Sequence, residues 1–123
     1  MNEIIVIEED GIFINKISGE VPSEDIIAHV IKNVATWKNS PVIWDLNNAV
    51  IDIRSSGEVI NMIQKLKSMD KKRAGSKTAF VASENLQFGM ARMYDMWHEG
   101  QGGPEIRSFR DINKAKEWLL SKE

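Results

Sequence analysis

From residue 23 onward the hydrophobic pattern changes period again and again, and that alternation confines the chain to an α/β architecture. Val42 to Leu46, Thr78 to Ala82 and Glu105 to Phe109 are short strand-like runs. Each is preceded by a segment whose apolar residues fall at helical spacing. The first has Ile27, Val30, Ile31 and Val34, with Ser23 as its predicted cap. The second begins near Ser55 and carries Val59, Met62, Ile63 and Leu66. The third runs from a cap at Ser83 to about Glu99, with Leu86, Met90, Met93 and Trp97 on its stripe. A fourth follows Asp111 and turns Ile112, Ala115 and Leu119 inward. Ahead of these, Ile4 to Ile7 reads as a buried strand. Asp10-Gly11 is a hairpin signal that sends Ile12 to Ile17 back beside it. Helix crossovers between strands imply parallel pairing. The predicted fold class is therefore α/β, ordered β-β-α-β-α-β-α-β-α, with a mixed, mostly parallel five-stranded sheet and four helices.

At 123 residues the chain is expected to be a single domain spanning 1–123. It has no cysteine, which removes disulfides, thiolate metal sites and a cysteine nucleophile together. Sixteen basic and 18 acidic side chains leave a net charge of −2. A nucleic-acid binder ordinarily carries a basic excess, so no nucleic-acid partner is expected. No apolar stretch approaches the roughly 20 residues that span a bilayer, and the start of the chain lacks the pattern of a signal peptide. The expectation is a cytoplasmic protein without stable membrane insertion.

The segment from Asp45 to Glu58 carries the most chemical interest. Ser55 and Glu58 have the spacing of a capping box. The same helix start offers free N–H groups and a positive dipole end, which favour an anion or a phosphorylated side chain. Elsewhere the bland readings win. His98 lies near Asp95 and Glu99, but His29 is on another helix, and no metal or cofactor is expected. Gly100, Gly102 and Gly103 follow a helix rather than a strand, so they read as a stop and not a phosphate loop. Lys71-Lys72-Arg73, with Lys65, Lys67 and Lys77 nearby, reads as a solvated turn. No nucleophile elbow is present, and no enzyme activity is expected. The third helix is richer in apolar residues than one buried stripe requires. Met90, Met93, Tyr94, Met96 and Trp97, with Arg92 among them, form a candidate ligand wall or dimer face.

The order of elements, together with Asp45-Leu46 and Ile53-Arg54-Ser55-Ser56-Gly57, resembles the SpoIIAA-like, or STAS, family. Its name-giving members are anti-sigma-factor antagonists with an Asp-Ser-Ser-Gly helix start. The resemblance implies that Ser56 corresponds to their phosphorylated serine, and Arg54 stands where they carry an acid. The segments Phe88 to Tyr94 and Phe109-Arg110-Asp111, with Ala115, Trp118 and Leu119, resemble a less characterised STAS or CRAL-TRIO-like branch. The resemblance implies a non-enzymatic module, and lipid binding in the CRAL-TRIO relatives. Two functional expectations follow. One is a protein partner met through Ser55 and Ser56, with Arg54 at the contact and Asp45 beneath. The other is a small apolar ligand or lipid held by the third helix, with Arg92 meeting an acidic head group. A homodimer through the same apolar surplus is a further expectation.

Overall fold

The computed structural model describes residues 2–50, 56–98 and 102–121. In chain order the elements are β1 (Glu3–Glu9), β2 (Ile12–Gly19), α1 (Ser23–Trp37), β3 (Val42–Ala49), α2 (Ser56–Lys71), β4 (Lys77–Val81), α3 (Asn85–His98), β5 (Glu105–Phe109) and α4 (Ile112–Leu119). They form one five-stranded sheet in the order β1-β2-β3-β4-β5. The β1/β2 pair is antiparallel and the other three pairs are parallel. Asp10 and Gly11 both have positive φ, which is what a two-residue hairpin turn with the right twist requires.

Sequential strand order decides where the helices go. Each crossover steps the same way along the sheet, and crossovers of one hand place α1, α2 and α3 on a single face. Their core includes Val30, Trp37, Trp44, Leu46, Leu66 and Ala91. The last helix, α4, follows the last strand and covers the other face, where Ile12, Ile14, Ile43, Ala79 and Val81 meet Ala115 and Leu119. Trp37 and Trp44 pack edge to face at 6.0 Å between centroids, a preferred aromatic geometry.

Several local expectations change in the folded chain. β1 is not buried: Ile5 is 43% exposed, and Val6 and Ile7 are similar, because the strand lies at the sheet edge. Its flanking Glu3, Glu8 and Glu9 discourage edge-to-edge pairing. Ser23 does not cap α1. Pro22 holds the cap position, and its carbonyl accepts from the backbone N–H groups of Asp25 and Ile26. Ile31 faces solvent, while Trp37 completes the buried stripe. β3 runs beyond the predicted Val42 to Leu46, taking in Asn47, Asn48 and Ala49. Ser83 does not cap α3 either; its N–H and hydroxyl both donate to Asn47 Oδ1. Leu86 is exposed, and Ala91 is the buried residue among the described side chains of that helix. Asp111 does cap α4, accepting from the N–H groups of Asn113 and Lys114.

β2 carries a buried polar residue that alternation alone does not explain. Asn15 is fully buried on the side facing α1, and it donates to the Ile43 carbonyl. Its Oδ1 lies 2.8 Å from His29 Nε2, and Asn33 Nδ2 approaches His29 Nδ1. A neutral imidazole satisfies both contacts, with Nε2–H donating and Nδ1 accepting. Burial, helped by Lys32, lowers the His29 pKa below its ordinary value. Below the unfolded-state value of about 6.5 the unfolded chain therefore binds more protons than the folded one. Stability is expected to fall as pH drops below about 6.5 through the lowered folded-state pKa. His29→Gln should flatten that part of a urea-midpoint profile; an unchanged slope would remove His29 as its source.

Candidate functional site

α2 packs against α1 and α3, and its Met62, Leu66 and Met69 line the same space as the strand residues beneath it. The space left between α2 and the sheet is a cavity of about 490 Å³. Its floor comes from Ile17, Trp44, Leu46 and Phe80, alternate residues of the strands that face this side. Val30, Val34 and Trp37 of α1 form one wall, and Met90, Ala91 and Tyr94 of α3 form the other. Met62, Leu66 and Met69 of α2 roof it. Two methionines on the roof and one on the wall make a lining that adapts to the shape of an apolar guest.

The two ends of the cavity differ. At one end, beside the C-terminal ends of β2 and β3, the lining includes Gly19, Glu20, Ser23, Glu24 and Val50. Here the charged groups are carboxylates, and both glutamates are exposed. At the other end, beside the starts of β4 and β5, are Asp70, Arg73, Thr78, Pro104 and Ile106. Arg73 is only 5% exposed. Its Nε donates to the Lys38 carbonyl at 3.2 Å, Nη1 to Thr78 Oγ1 at 2.7 Å and Nη2 to the Ser40 carbonyl at 2.7 Å. Burial lowers its pKa to about 10, while Asp70 pulls it back up. The guanidinium therefore stays charged at neutral pH. Burial, with the Asp70 carboxylate adding to it, pushes the Tyr94 phenol far above the ordinary tyrosine range. Tyr94 is thus a neutral hydroxyl. Phe80 and Tyr94 pack edge to face at 5.2 Å.

These positions revise the basic-turn reading. Arg73 is not solvated; it ties the end of α2 to the α1–β3 loop and to β4. Lys77 is likewise engaged, donating to the Trp118 and Ser121 carbonyls at the end of α4, where a cation complements the helix dipole. Arg73 and the roof methionine Met69 are among the residues that sequence reasoning missed, as are Trp37 and Trp44 of the cavity lining. The available signal was the position of Arg73 immediately after an amphipathic helix and before a buried strand, where an ordered turn must satisfy its carbonyls.

The candidate apolar face of α3 divides. Met90 and Tyr94 line the cavity, whereas Met93 and Arg92 are not among its lining residues. Met96 is 62% exposed. Arg92 is paired with Asp95 at 3.1 Å and does not serve as an acid receptor in the cavity. The α3 helix includes Trp97, whose side chain lies outside the described residues, as does that of His98. Of the serine group, Arg54 and Ser55 lie outside the described residues, and with them the capping box. Ser56 opens α2. Asp45 sits on β3 and accepts from the Asn47 N–H at 3.0 Å; it is not part of the cavity. Among the described residues no group of His, Asp and Glu is arranged to hold a metal ion, and no helix is long and apolar enough to cross a membrane.

The C-terminal motif that carried part of the resemblance builds the fold. Phe109 packs on Trp118 at 5.7 Å. The Arg110 guanidinium lies 4.2 Å from the Phe88 ring centroid and bonds Asn85 at the start of α3.

No family model matches the sequence, and no curated protein matches it at a significant level. Solved structures do match. An anti-sigma factor antagonist from Mycobacterium paratuberculosis superposes with a TM-score of 0.68 at 12% identity, over 98% of this chain and 96% of that one. An uncharacterized protein of the DUF3478 family with a SpoIIAA-like fold, from Shewanella loihica, gives 0.61 at 16% identity, over 97% and 94%. By fold, then, the chain is an α/β domain of the SpoIIAA-like class. The five-stranded sheet and the helices agree with the resemblance carried by the sequence motifs.

Proposed function

We propose that this SpoIIAA-like domain is a non-enzymatic binding module whose site is the cavity beneath α2, and that its ligand is a small apolar molecule. The single observation carrying the reading is the cavity: about 490 Å³, with apolar strand and helix side chains on its floor, walls and roof and polar groups at its two ends. That volume lies within the range of about 300–1,000 Å³ common for small-molecule sites. A close-packed interior does not leave such a space without cause, since voids larger than a water molecule are few. Native mass spectrometry of the protein purified from its own cells tests the proposal. An added mass of a few hundred daltons, lost on denaturation, is expected. Consistent recovery of the empty chain would count against it.

A second reading is favoured by the position of Ser56 at the start of α2, the helix that roofs the cavity. A protein partner would meet this helix start, as the resemblance to anti-sigma-factor antagonists implies. Ser56→Asp is then expected to weaken capture of the partner by about tenfold or more, through the added negative charge. Ser56→Ala should change capture far less. Equal capture by both variants would exclude the serine from the contact.

A further inference from the structure

Trp37 ends α1 and is only 2% exposed, and it lines the cavity. Its indole Nε1–H is a buried donor with no acceptor among the described residues. Burying such a group unpaired is costly, and orphaned donors are exceptional in folded proteins. The polar groups around it do not relieve that cost. The indole packs edge to face on Trp44 at 6.0 Å and lies 5.8 Å from the His29 ring. His29 is committed elsewhere: Nε2 meets Asn15 Oδ1 at 2.8 Å, and Nδ1 faces Asn33 Nδ2. Asn15 Nδ2 in turn donates to the Ile43 carbonyl. A water molecule is a poor substitute, because a buried water makes about three hydrogen bonds. Val30 and Val34, which share the Trp37 face of α1 and line the cavity with it, offer none.

The donor fixes what a ligand must carry. An indole N–H donates and cannot accept, so the polar atom that meets it is an acceptor. The N–H is also neutral, whereas a buried carboxylate needs a charged partner or several donors. Arg73 is the cation among the described lining residues. It already donates to the Lys38 and Ser40 carbonyls and to Thr78 Oγ1. Glu20, Glu24 and Asp70 add carboxylates to the same lining, which disfavours an anion further. The acceptor that fits is therefore a carbonyl, hydroxyl or ether oxygen on an otherwise apolar body.

From these contacts we infer that the cavity binds an apolar molecule bearing a neutral oxygen acceptor, and that Trp37 Nε1–H donates to that oxygen. The inference rests on the cavity being the ligand site and names the group that selects among apolar guests. Methyl hexyl ketone and the alkene in which a methylene replaces its carbonyl oxygen have the same shape and differ in that acceptor alone. Each is titrated into the full chain, isotope-labelled at tryptophan and at the methionine methyls, and followed by nuclear magnetic resonance. The methyls of Met62, Met69 and Met90, which line the cavity, report binding. The Trp37 indole N–H, assigned through its own side-chain connectivities, reports the hydrogen bond. Both compounds are expected to move the methionine methyls. Only the ketone is expected to carry the Trp37 N–H downfield, the direction of a hydrogen bond gained. Trp37→Phe should weaken the ketone by about fivefold or more relative to the alkene; the resonance of the parent chain decides the matter even where that variant fails to fold. A Trp37 N–H that stays in place while the ketone binds, or that moves equally with the alkene, would overturn the acceptor assignment and leave the cavity standing. So would equal weakening of both compounds by Trp37→Phe. Failure of both compounds to bind the parent would overturn the cavity reading itself.

Discussion

Replacing Arg73 by methionine is expected to destabilise the fold by about 3–5 kcal/mol, a loss of roughly 10–20 °C in melting temperature for a domain of this size. The aliphatic part of the side chain is kept, so the cost comes from the guanidinium. It spans three segments: the carbonyls of Lys38 and Ser40 after α1, its own turn after α2, and the Thr78 hydroxyl on β4. A hydrogen bond from a charged donor contributes about 1.5–3 kcal/mol, and an acceptor left buried without a donor adds its desolvation cost. Arg73→Lys keeps the charge but not the planar fork, which reaches several acceptors at once. It should fall between the two, at about 2 kcal/mol. Urea unfolding followed by circular dichroism measures all three proteins. A loss below about 1 kcal/mol for the methionine variant would mean that water replaces the guanidinium at these carbonyls.

Arg73 also shows where sequence reasoning stops. The elements themselves were legible. Strand and helix periods alternate cleanly, and Asp10-Gly11 has the chemistry its turn requires. Asp111 is followed by free N–H groups that it does cap. What could not be read was which side of each element would be covered. Ile4 to Ile7 is as apolar as a central strand, yet edge position leaves it open. Ile31 and Leu86 fit a helical stripe but sit just outside the arc that meets the sheet. Lys71-Lys72-Arg73 looks like one charge run, although only its third member turns inward. These are tertiary facts, set by where neighbouring elements come to rest.

The candidate site follows the same division. Its α3 wall was partly legible, because Met90 and Tyr94 lie one turn apart on the apolar surplus of that helix. The cavity itself was not, because it is enclosed by residues far apart in the chain, from β2, β3 and β4 beneath and from α1, α2 and α3 around them. Sequence spacing shows that Leu66 is buried but not that open space lies beside it. This placement also joins the two functional readings. The helix that roofs the cavity is the helix that Ser56 opens. A ligand under α2 and a protein at its start would therefore act on one element.

Ala91→Phe is expected to abolish ligand binding with little change in stability, and that combination is diagnostic. Ala91 is 3% exposed and lies on the α3 wall of the cavity. In a close-packed core the added ring would force its neighbours apart and cost about 1–3 kcal/mol. Beside an open cavity the ring has somewhere to go, and the apolar area it buries offsets the strain, so the urea midpoint should stay within about 1 kcal/mol of the parent or rise above it. Space in the cavity that the phenyl ring takes is closed to a ligand. Affinity for dodecanol, an apolar probe, should then fall by about tenfold or more, as buried apolar contact is displaced. A loss of more than about 3 kcal/mol in stability would show that Ala91 faces packed atoms. A stable variant that still binds with parental affinity would place the ligand somewhere other than beneath α2.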